Sequence, residues 1–586
     1  MLTTPPFVLL DDARAGGAPA RLYIRPQRVL TAWRVEEVAG VLDAVRASRL
    51  DAAGYLAYEA AAAFEPAAPT PADPATARTP LAWFGLFDGW QEVADVSALL
   101  PDPAGAWIGE PVPEVAAEDY RAMFDAVQAL IAAGDLYQLN LTLRAHAPVA
   151  GDPLALYAQL RPHAAAGWGA IVATGAQTLL SFSPELFVAL DGDRLTCRPM
   201  KGTARRLPDA VADRAAAESL AGDPKQRAEN LMIVDLMRND LARVAVPGSV
   251  AVPALFAVEH YPTVHQMTST VTATLAPGCD AVDVLAALFP CGSITGAPKV
   301  RAMQAIAQIE RGSPRGAYTG AIGRIDRTGD AMFNVAIRTL QLTGDPAGGR
   351  ATIGLGGGIV ADSRAAAEWD EALAKAAFVT RGTPAFDLIE TMAFDPVEGI
   401  VLVERHLERM KRSALALGFA FDRHGARNEL QAATFRLRHA SRVRLVLARS
   451  GAVAIEVSPA PPPATRPLRV ALMPLPVPAG DLRLRHKTSD RAFYDTARRA
   501  SGADEVVFVD AEGQVTEGSY TSVFVPQGAR LVTPRGVAAL PGVLRAELLA
   551  TARALEGTVA PRDLNDGFLL GNALRGLMPA VLTVAQ

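Results

Sequence analysis

The chain has 586 residues, half of them apolar and a fifth charged, which is too long for one hydrophobic core and too apolar for disorder, so at least two sizeable domains are expected. Its 57 Lys and Arg against 62 Asp and Glu give a formal net charge of −5, which argues against a nucleic-acid partner, because phosphate binding draws on concentrated basic residues. Three widely spaced cysteines, Cys197, Cys279 and Cys291, fit neither a disulfide framework nor a zinc site, and no run approaches the apolar length of a membrane span.

In chain order, the opening MLTTPPFVLLDDARAGG lacks the basic start and cleavage site of a secretory leader, so a cytoplasmic protein that engages no membrane is expected. Pro and Ala dominate residues 65–80, EPAAPTPADPATARTP, which predicts a surface loop. From about residue 118 the spacing is helical: Tyr120, Phe124, Val127 and Ile131 share a face, Gly134 ends the helix, and the strand LNLTLRAHA follows. TCRPMKGTARR, residues 196–206, reads as a strand leaving a sheet, with Lys201 pointing inward. DPKQRAENLMIVDLMRNDLARV is a helix capped by Asp223 and Pro224, and its apolar positions nearly encircle it, predicting deep burial. Beyond residue 315, GAYTGAIGRID, AMFNVAIRTLQL and ATIGLGGGIV are successive strands and SRAAAEWDEALAKAAFV a helix. Near 380 the pattern restarts as strand, strand, helix, strand with FDLIETMAF, GIVLVERHLERMKRSALALGF and RVRLVLA, which places a domain boundary at 378–384. The Arg-rich RNELQAATFRLRHASRVRLVLAR reads as an exposed helix running into a strand.

Sixteen residues before Lys201 stands Glu185, in SFSPELF at a strand end; alone it reads as a solvated turn residue. Glu229 falls in the apolar helix, where an unpaired carboxylate is costly unless a cation compensates it. Glu368 and Glu371, three apart, share a helix face. Three carboxylates on two buried helices suit Mg²⁺, which takes one or two directly and otherwise keeps water and substrate oxygens. On spacing alone, salt bridges to neighbouring Arg and Lys serve equally well. PCGSITGAPKVRAM (290–303) and GLGGGIVADS (354–363), placed where strands end, offer backbone N–H groups to an anion, yet neither matches a phosphate loop or a dinucleotide fingerprint.

Taken together and in order across residues 118–380, SPELF, PMKGTARR, KQRAENLMIVDLMRNDLARV, GSITGAPKVRAM, RGAYTGAIG, FNVAIRT and GGGIVADS resemble the chorismate-utilising enzymes, a family containing anthranilate, aminodeoxychorismate, isochorismate and salicylate synthases. Residues 1–117 match loosely, around GYLAYEA. Where anthranilate synthases carry alanine, this chain has Lys201, as the aminodeoxychorismate synthases do. The resemblance therefore implies covalent catalysis: the amine adds to C2 of chorismate as the C4 hydroxyl leaves, and ammonia then enters C4 and expels the lysine. An amine attacks only when neutral, so Lys201 needs an apolar site or nearby cations, and a protonated Glu185 is required to donate to the departing hydroxyl. By the same resemblance Glu229 and Glu371, with Glu368 behind them, hold Mg²⁺. Arg338, Tyr318, Thr295, Lys375 and the backbone of Gly356 and Gly357 would bind the two substrate carboxylates, and His265 would line the ring. One departure is Gln226, which replaces an acidic residue three before Glu229 and leaves one fewer negative charge near the metal. No glutamine amidotransferase segment is recognised, so ammonia is expected from a separate glutaminase subunit or from solution. LLDDAR lacks the serine of the family's tryptophan pocket, which argues against tryptophan feedback.

In the last third, Lys487 in LRHKTSDRAFYD and Glu517 in DEVVFVDAEGQVTEGSYTSVFV are individually unremarkable surface and turn residues. With FDLIETM, HLERM, TPRGVAALPGVLRAELL and LGNALRGLMPAVL, however, they resemble the fold-type IV pyridoxal-phosphate enzymes, which include branched-chain and D-amino-acid aminotransferases and a 4-amino-4-deoxychorismate lyase. The resemblance implies that Lys487 links to the cofactor and moves the proton, and that Glu517 binds the pyridine N–H. Arg409 and the backbone around Gly542 and Val543 would hold the phosphate. Thr391, Asn572 and Arg575 are candidate substrate contacts. Motifs leave transamination and elimination open; the fusion favours elimination, because the first module's expected product carries an amine at C4 and an enolpyruvyl ether at C3, and loss of the C4 hydrogen drives out pyruvate.

The expected fold class is α+β: two large antiparallel sheets with surrounding helices, then two small α/β subdomains. Residues 1–117 are read as the N-terminal part of the synthase module, 118–380 as the chorismate-binding catalytic domain and 383–586 as a pyridoxal-phosphate-dependent, lyase-like domain. The expected product is 4-aminobenzoate. That second family commonly dimerises, so a homodimer through this module is a further expectation. The rival with the same modules is an anthranilate- or isochorismate-type synthase joined to an aminotransferase; a binding protein with degenerate domains is the rival from another class.

Overall fold

A computed structural model of the chain describes residues 4–69, 79–261, 264–310, 313–345, 348–382, 385–536 and 538–583. Most of the Pro/Ala-rich loop expected at 65–80, and residues 383–384 of the expected boundary, lie outside the described residues.

Residues Phe7–Ile359 build two large sheets, of eleven and ten strands, with every pairing antiparallel. The first 117 residues thread both: Phe7–Asp11 pairs with Trp168–Ala173 in the larger sheet, and Asp51–Leu56 pairs with Ala321–Ile325 in the other. The sheets face each other across Val8, Tyr23, Tyr55, Trp83, Phe87, Val172 and Ile322. Helices cover the outer faces, among them Val35–Ser48 and Pro224–Ala242 on the ten-stranded sheet and Ala117–Ala132 and Pro153–Ala164 on the other. Near the N-terminus Asp11 is buried and accepts bonds from Tyr157 Oη (2.9 Å) and Arg161 Nε (2.7 Å), which ties LLDDAR to a neighbouring helix.

From Leu388 onward a four-stranded antiparallel sheet packs against the helices Val403–Leu417 and Arg423–Thr434, and an eight-stranded mixed sheet packs against Ala492–Ser501 and Val543–Ala550. The α+β class with two smaller α/β units is thus the architecture found. The Arg-rich stretch is the helix Arg423–Thr434 followed by the strand Ser441–Leu447.

Three sequence expectations change. AMFNVAIRTLQL is two strands, Ala331–Val335 and Thr339–Asp345, in different sheets. The chain crosses between them at Ala336–Arg338, with Arg338 in the left-handed region at φ 50°. The helix Pro224–Ala242 is one-sided: Asn230, Ile233, Val234, Met237 and Leu241 are buried, while Leu231, Asp235 and Arg238 face outward, because a run such as LMIV cannot keep every member on one face at 3.6 residues per turn. The glycines of GLGGGIV do not lie beyond a strand end; they pair inside Gly348–Ile359 with the strand Gln138–Gly151, Gly356 opposite Thr142 and Gly358 opposite Asn140.

Candidate functional site

Two crossings between the large sheets build the first site. Glu185 stands where the chain leaves Thr178–Ser183 in one sheet and enters Leu186–Asp191 in the other, and Arg338 stands at the return crossing. The crossings are stapled side by side: Val335 N donates to Glu185 O at 3.1 Å and Phe182 N to Arg338 O at 3.0 Å. The Glu185 side chain is buried beside Lys201 and Ser293, and the Arg338 guanidinium is desolvated within electrostatic reach of Tyr261.

Lys201 lies on Met200–Arg205, an edge strand of the ten-stranded sheet, and the glycine strand supplies the opposite wall. A Cβ on Gly358 would sit 3.0 Å from Lys201 Nζ and 2.4 Å from Gln138 Nε2. One on Gly357 would sit 3.3 Å from Glu368 Oε2, 3.4 Å from Lys375 Nζ and 3.8 Å from Glu371 Oε1, and one on Gly354 would enter the Tyr318 ring. The missing side chains let two lysines, two glutamates, a glutamine and a tyrosine close around bare backbone. Thr295, fully buried, turns its hydroxyl to Cys291 O and Gly292 O and offers its carbonyl to Asn140 N.

The electrostatics match the geometry. Glu185 is 3 % exposed, and burial pushes its carboxyl up to about 7 against the lowering effects of a Ser293 hydrogen bond and Lys201; its Oε1 has no hydrogen-bond partner. Burial, then Lys375, lowers Lys201 below the ordinary lysine range, partly opposed by Glu185, Glu229 and Glu371. Burial raises Glu229 and Glu368, with repulsion from Glu368 and Glu371 adding at Glu229 and from Glu371 at Glu368, whereas Lys375, 2.8 Å away, pulls Glu371 down. Burial also lowers Arg338, whose guanidinium has no carboxylate partner among the described residues. Among those residues no three His, Cys, Asp or Glu side chains are gathered into a ready metal cage. The donor set nevertheless fits a hard dication: two carboxylates raised by burial and by neighbouring carboxylates, with a third paired to a lysine. Glu229 is half-buried and Glu371 exposed, so these carboxylates rim the site instead of lying in buried helices.

His265 goes elsewhere. Both ring nitrogens are engaged, Nδ1 with His260 Nδ1 at 2.7 Å and Nε2 with Asp213 Oδ1 at 2.9 Å, so it is tied to the helix Ala210–Gly222, against the expectation that it lines the ring. Gln226 packs its Oε1 3.1 Å from the position a Gly202 Cβ would take, beside Lys201. Three contributors escaped the sequence reading. Gln138 is buried beside Lys201 with its Oε1 unpartnered, Ser293 holds Glu185, and Asn230 anchors the Lys201 carbonyl at 3.3 Å while accepting from Ser269 Oγ at 2.6 Å. Gln138 opens the strand that pairs with the glycine run, and that pairing is the signal that could have found it.

The second site is closed by hydrogen bonds. Burial, then Arg409, brings Lys487 down to about 7. Burial lifts Glu517 to about 7; Tyr494 Oη donates to its Oε1 and Leu540 N to its Oε2 at 2.8 Å. Arg409 forks onto Glu390 (Nε to Oε1 2.8 Å, Nη2 to Oε2 2.6 Å) and donates from Nη1 to Pro541 O at 3.1 Å, so it reaches the Gly542–Val543 turn already paired. Burial alone would raise Glu390, but Arg409 and His406 hold it down at about 2. Gly542 precedes the helix Val543–Ala550, and a Cβ there would meet Ser522 Oγ at 2.6 Å. A helix N-terminus, a serine hydroxyl and an adjacent arginine fit a phosphate, and a buried lysine and a buried carboxyl in the same module are groups that fit the ring of pyridoxal phosphate. Asn572 is spent on its own turn, accepting from Leu574 N and Arg575 N, and Arg575 is exposed; Thr391 pairs in register with Arg444, one of the cations that lower Lys487.

Comparison with known proteins agrees with this arrangement. A family described as chorismate binding enzyme matches residues 7–381, and class IV amino-transferase matches 387–582. The aminodeoxychorismate synthase component 1 of Salmonella typhimurium is 46 % identical over 257 residues, 44 % of this chain and 56 % of that protein. An anthranilate synthase component 1 of Halobacterium salinarum is 41 % identical over 290 residues, 48 % of this chain and 54 % of its own. The chain thus spans about half the length of the curated relatives it matches. Among solved structures, anthranilate synthase component I from Streptococcus pneumoniae superposes with a TM-score of 0.53 at 27 % identity, covering 65 % of this chain and 94 % of that one.

Proposed function

The chain belongs to the chorismate-binding enzyme family, and from that premise we propose that it makes 4-aminobenzoate, aminating chorismate to 4-amino-4-deoxychorismate in its first module and eliminating pyruvate in its second. The observation that carries this reading is Lys201: an amine lowered by burial, at the glycine wall, in the electrostatic reach of the carboxyl of Glu185 that burial holds near 7.

In this reading Arg338, Tyr318 and Lys375 take the substrate carboxylates, with Thr295 and the Gly356–Gly357 backbone shaping the pocket around them. Arg338 is suited because it is a desolvated cation with no carboxylate partner among the described residues. Mg²⁺ would be held by Glu229 and Glu371, with Glu368 behind, and supplies positive charge opposite a ring carboxylate. Lys201 forms a bond from Nζ to C2 while the ring double bonds shift and the C4–O bond breaks; Glu185 protonates the departing hydroxyl, which leaves as water. Ammonia then bonds to C4, the double bonds shift back, the C2–Nζ bond breaks, and the Glu185 carboxylate takes up the proton that ammonia sheds. Gln138, a neutral neighbour of the lysine, offers an unused oxygen to the ammonia or the Nζ protons.

A class IV aminotransferase domain uses pyridoxal phosphate, which supplies an electron sink. Lys487 would link to the cofactor and then move the C4 proton, Glu517 would hold the ring nitrogen's proton, and the Gly542–Val543 turn with Arg409 would seat the phosphate. Residues 1–117 and 118–380 form the synthase module and 383–586 the lyase-like domain. A separate glutamine amidotransferase subunit supplies the ammonia, and the enzyme works in the cytoplasm; among the described residues no helix is long and apolar enough to cross a membrane.

Incubation with chorismate, Mg²⁺, an ammonium salt and pyridoxal phosphate, followed by chromatography, tests the reading. It expects 4-aminobenzoate and pyruvate; anthranilate or isochorismate as the product overturns it.

A further inference from the structure

The two modules share a buried interface. Trp107 of the first module, 3 % exposed, packs in one cluster with Phe386, Leu407, Met410 and Leu482 of the second. The guanidinium of Arg449 lies 5.2 Å from its ring and 4.4 Å from that of Phe419. The strand Gln138–Gly151, whose first residue lines the Lys201 site, contacts the helix Val403–Leu417, which carries Arg409. Gly105 admits Asp481 so closely that a Cβ there would stand 2.8 Å from its Oδ2.

At the centre is Arg483, whose side chain is 4 % exposed. It donates from Nε and Nη2 to Asp481 at 3.0 and 2.7 Å and from Nη1 to Asp490 at 2.9 Å. Its Nη2 also meets Asp102 of the first module at 2.9 Å, and its guanidinium carbon lies 4.8 Å from the Phe493 ring centroid. Arg483 stands four residues before Lys487 and Asp490 three after it, so the Arg483–Asp490 bond closes the turn from which Lys487 projects. Asp102 is not otherwise part of the second module; it caps the short turn Pro103–Gly105 by accepting from Ala104 N at 2.9 Å. The guanidinium therefore clamps the lysine turn on one side and the first module on the other. A planar fork engaged by three carboxylates has little freedom, and releasing one of them frees the rest.

Resting on the reading of Lys487 as the cofactor-linking lysine, we propose that Arg483 is a positioning residue for Lys487 and that Asp102 sets it, so that docking of the first module shapes the second module's site. The first module then acts on the lyase-like reaction through structure as well as by delivering its product.

The test uses the full chain carrying Asp102→Asn, which keeps the cap acceptor and removes the charge, and Asp490→Asn, which opens the same clamp from inside the second module. In cofactor-free protein, hydrogen exchange of the 482–490 amides is expected to quicken in both variants. The dissociation constant for pyridoxal phosphate, read from its absorption, is expected to rise roughly three- to ten-fold, with partial recovery in Asp102→Glu. Chorismate consumption with ammonium should be unchanged in Asp102→Asn. Wild-type exchange and wild-type cofactor affinity in Asp102→Asn overturn the proposal. Lys487→Ala tests the underlying reading separately: a borohydride-reducible cofactor link that survives in that variant overturns the assignment of Lys487 and leaves the clamp a purely structural feature.

Discussion

The two sites solve the same problem in different ways. Each contains a lysine whose amine is lowered by burial and a buried carboxyl lifted to about 7, Lys201 and Glu185 in the first and Lys487 and Glu517 in the second. In the second site the carboxyls are held internally: Glu517 by Tyr494 and Leu540, and Glu390 by Arg409 and His406, while among the described residues His406 Nε2, Arg444 Nε and Arg491 Nη1 are left over. In the first site key groups are left over. Among the described residues Arg338 has no carboxylate, and Glu185 Oε1 and Gln138 Oε1 have no donor. Such leftovers cost stability unless something polar completes them, which suits the proposed dianionic substrate and dication in the first site, with its unpaired carboxyl oxygen, and the proposed anionic cofactor in the second, with its unpaired cationic nitrogens.

The contrast breaks most sharply at Lys201. Lys201→Ala is expected to lower para-amination by more than about a thousandfold, leaving at most a slow ortho-amination, because the nucleophile itself is gone; product chromatography checks this. Next, Glu185→Gln should reduce turnover by roughly a hundred- to ten-thousandfold. It should also flatten the pH profile. In the wild type the acid form of Glu185 is lost as pH rises through about 7, so amination falls there. Cofactor capture by Lys487 should do the opposite, quickening as its amine is neutralised through about 7. Stopped-flow absorbance and initial rates across roughly pH 5.5–9, a range that spans both groups, would expose the two opposed limbs.

A third prediction concerns stability. Glu390→Gln leaves the guanidinium of Arg409 buried and uncompensated and should destabilise the second module by about 3–5 kcal/mol in denaturant titration. Arg338→Met removes a desolvated cation with no carboxylate partner among the described residues, so it should leave stability equal to or above wild type while raising the KM for chorismate. The smallest effect is expected at Gln226. Restoring an acid with Gln226→Glu adds one charge near Glu229 and should tighten Mg²⁺ binding a few-fold, on the order of 1 kcal/mol at a half-exposed position, read from the Mg²⁺ dependence of the rate.

The long motifs made both modules legible, since runs such as PMKGTARR and GSITGAPK carry identity, order and spacing at once. Alternation and helical period also located most elements, the helix Ala117–Ala132 with Tyr120, Phe124 and Val127 inward among them. What stayed hidden depends on contacts far apart in sequence. The crossing at Arg338 rests on a left-handed residue inside a pattern that reads as one strand. His265 is held by Asp213, 52 residues away, and Arg409 by Glu390, 19 away, and neither spacing has a local period. The site glycines read as a terminal anion loop because sequence shows their flexibility but not the side chains that close over them. The placement of Trp107 in the second module's core had no signal at all, because an apolar residue in a strand looks alike whichever module it serves.

The most direct test is mass spectrometry of the intact enzyme quenched during turnover with chorismate and Mg²⁺ in the absence of ammonia. The account predicts an adduct of the mass of chorismate less one water, mapped by digestion to the peptide containing Lys201 and absent from Lys201→Ala. Full para-amination with no adduct at any time, or an adduct on a different residue, would contradict it.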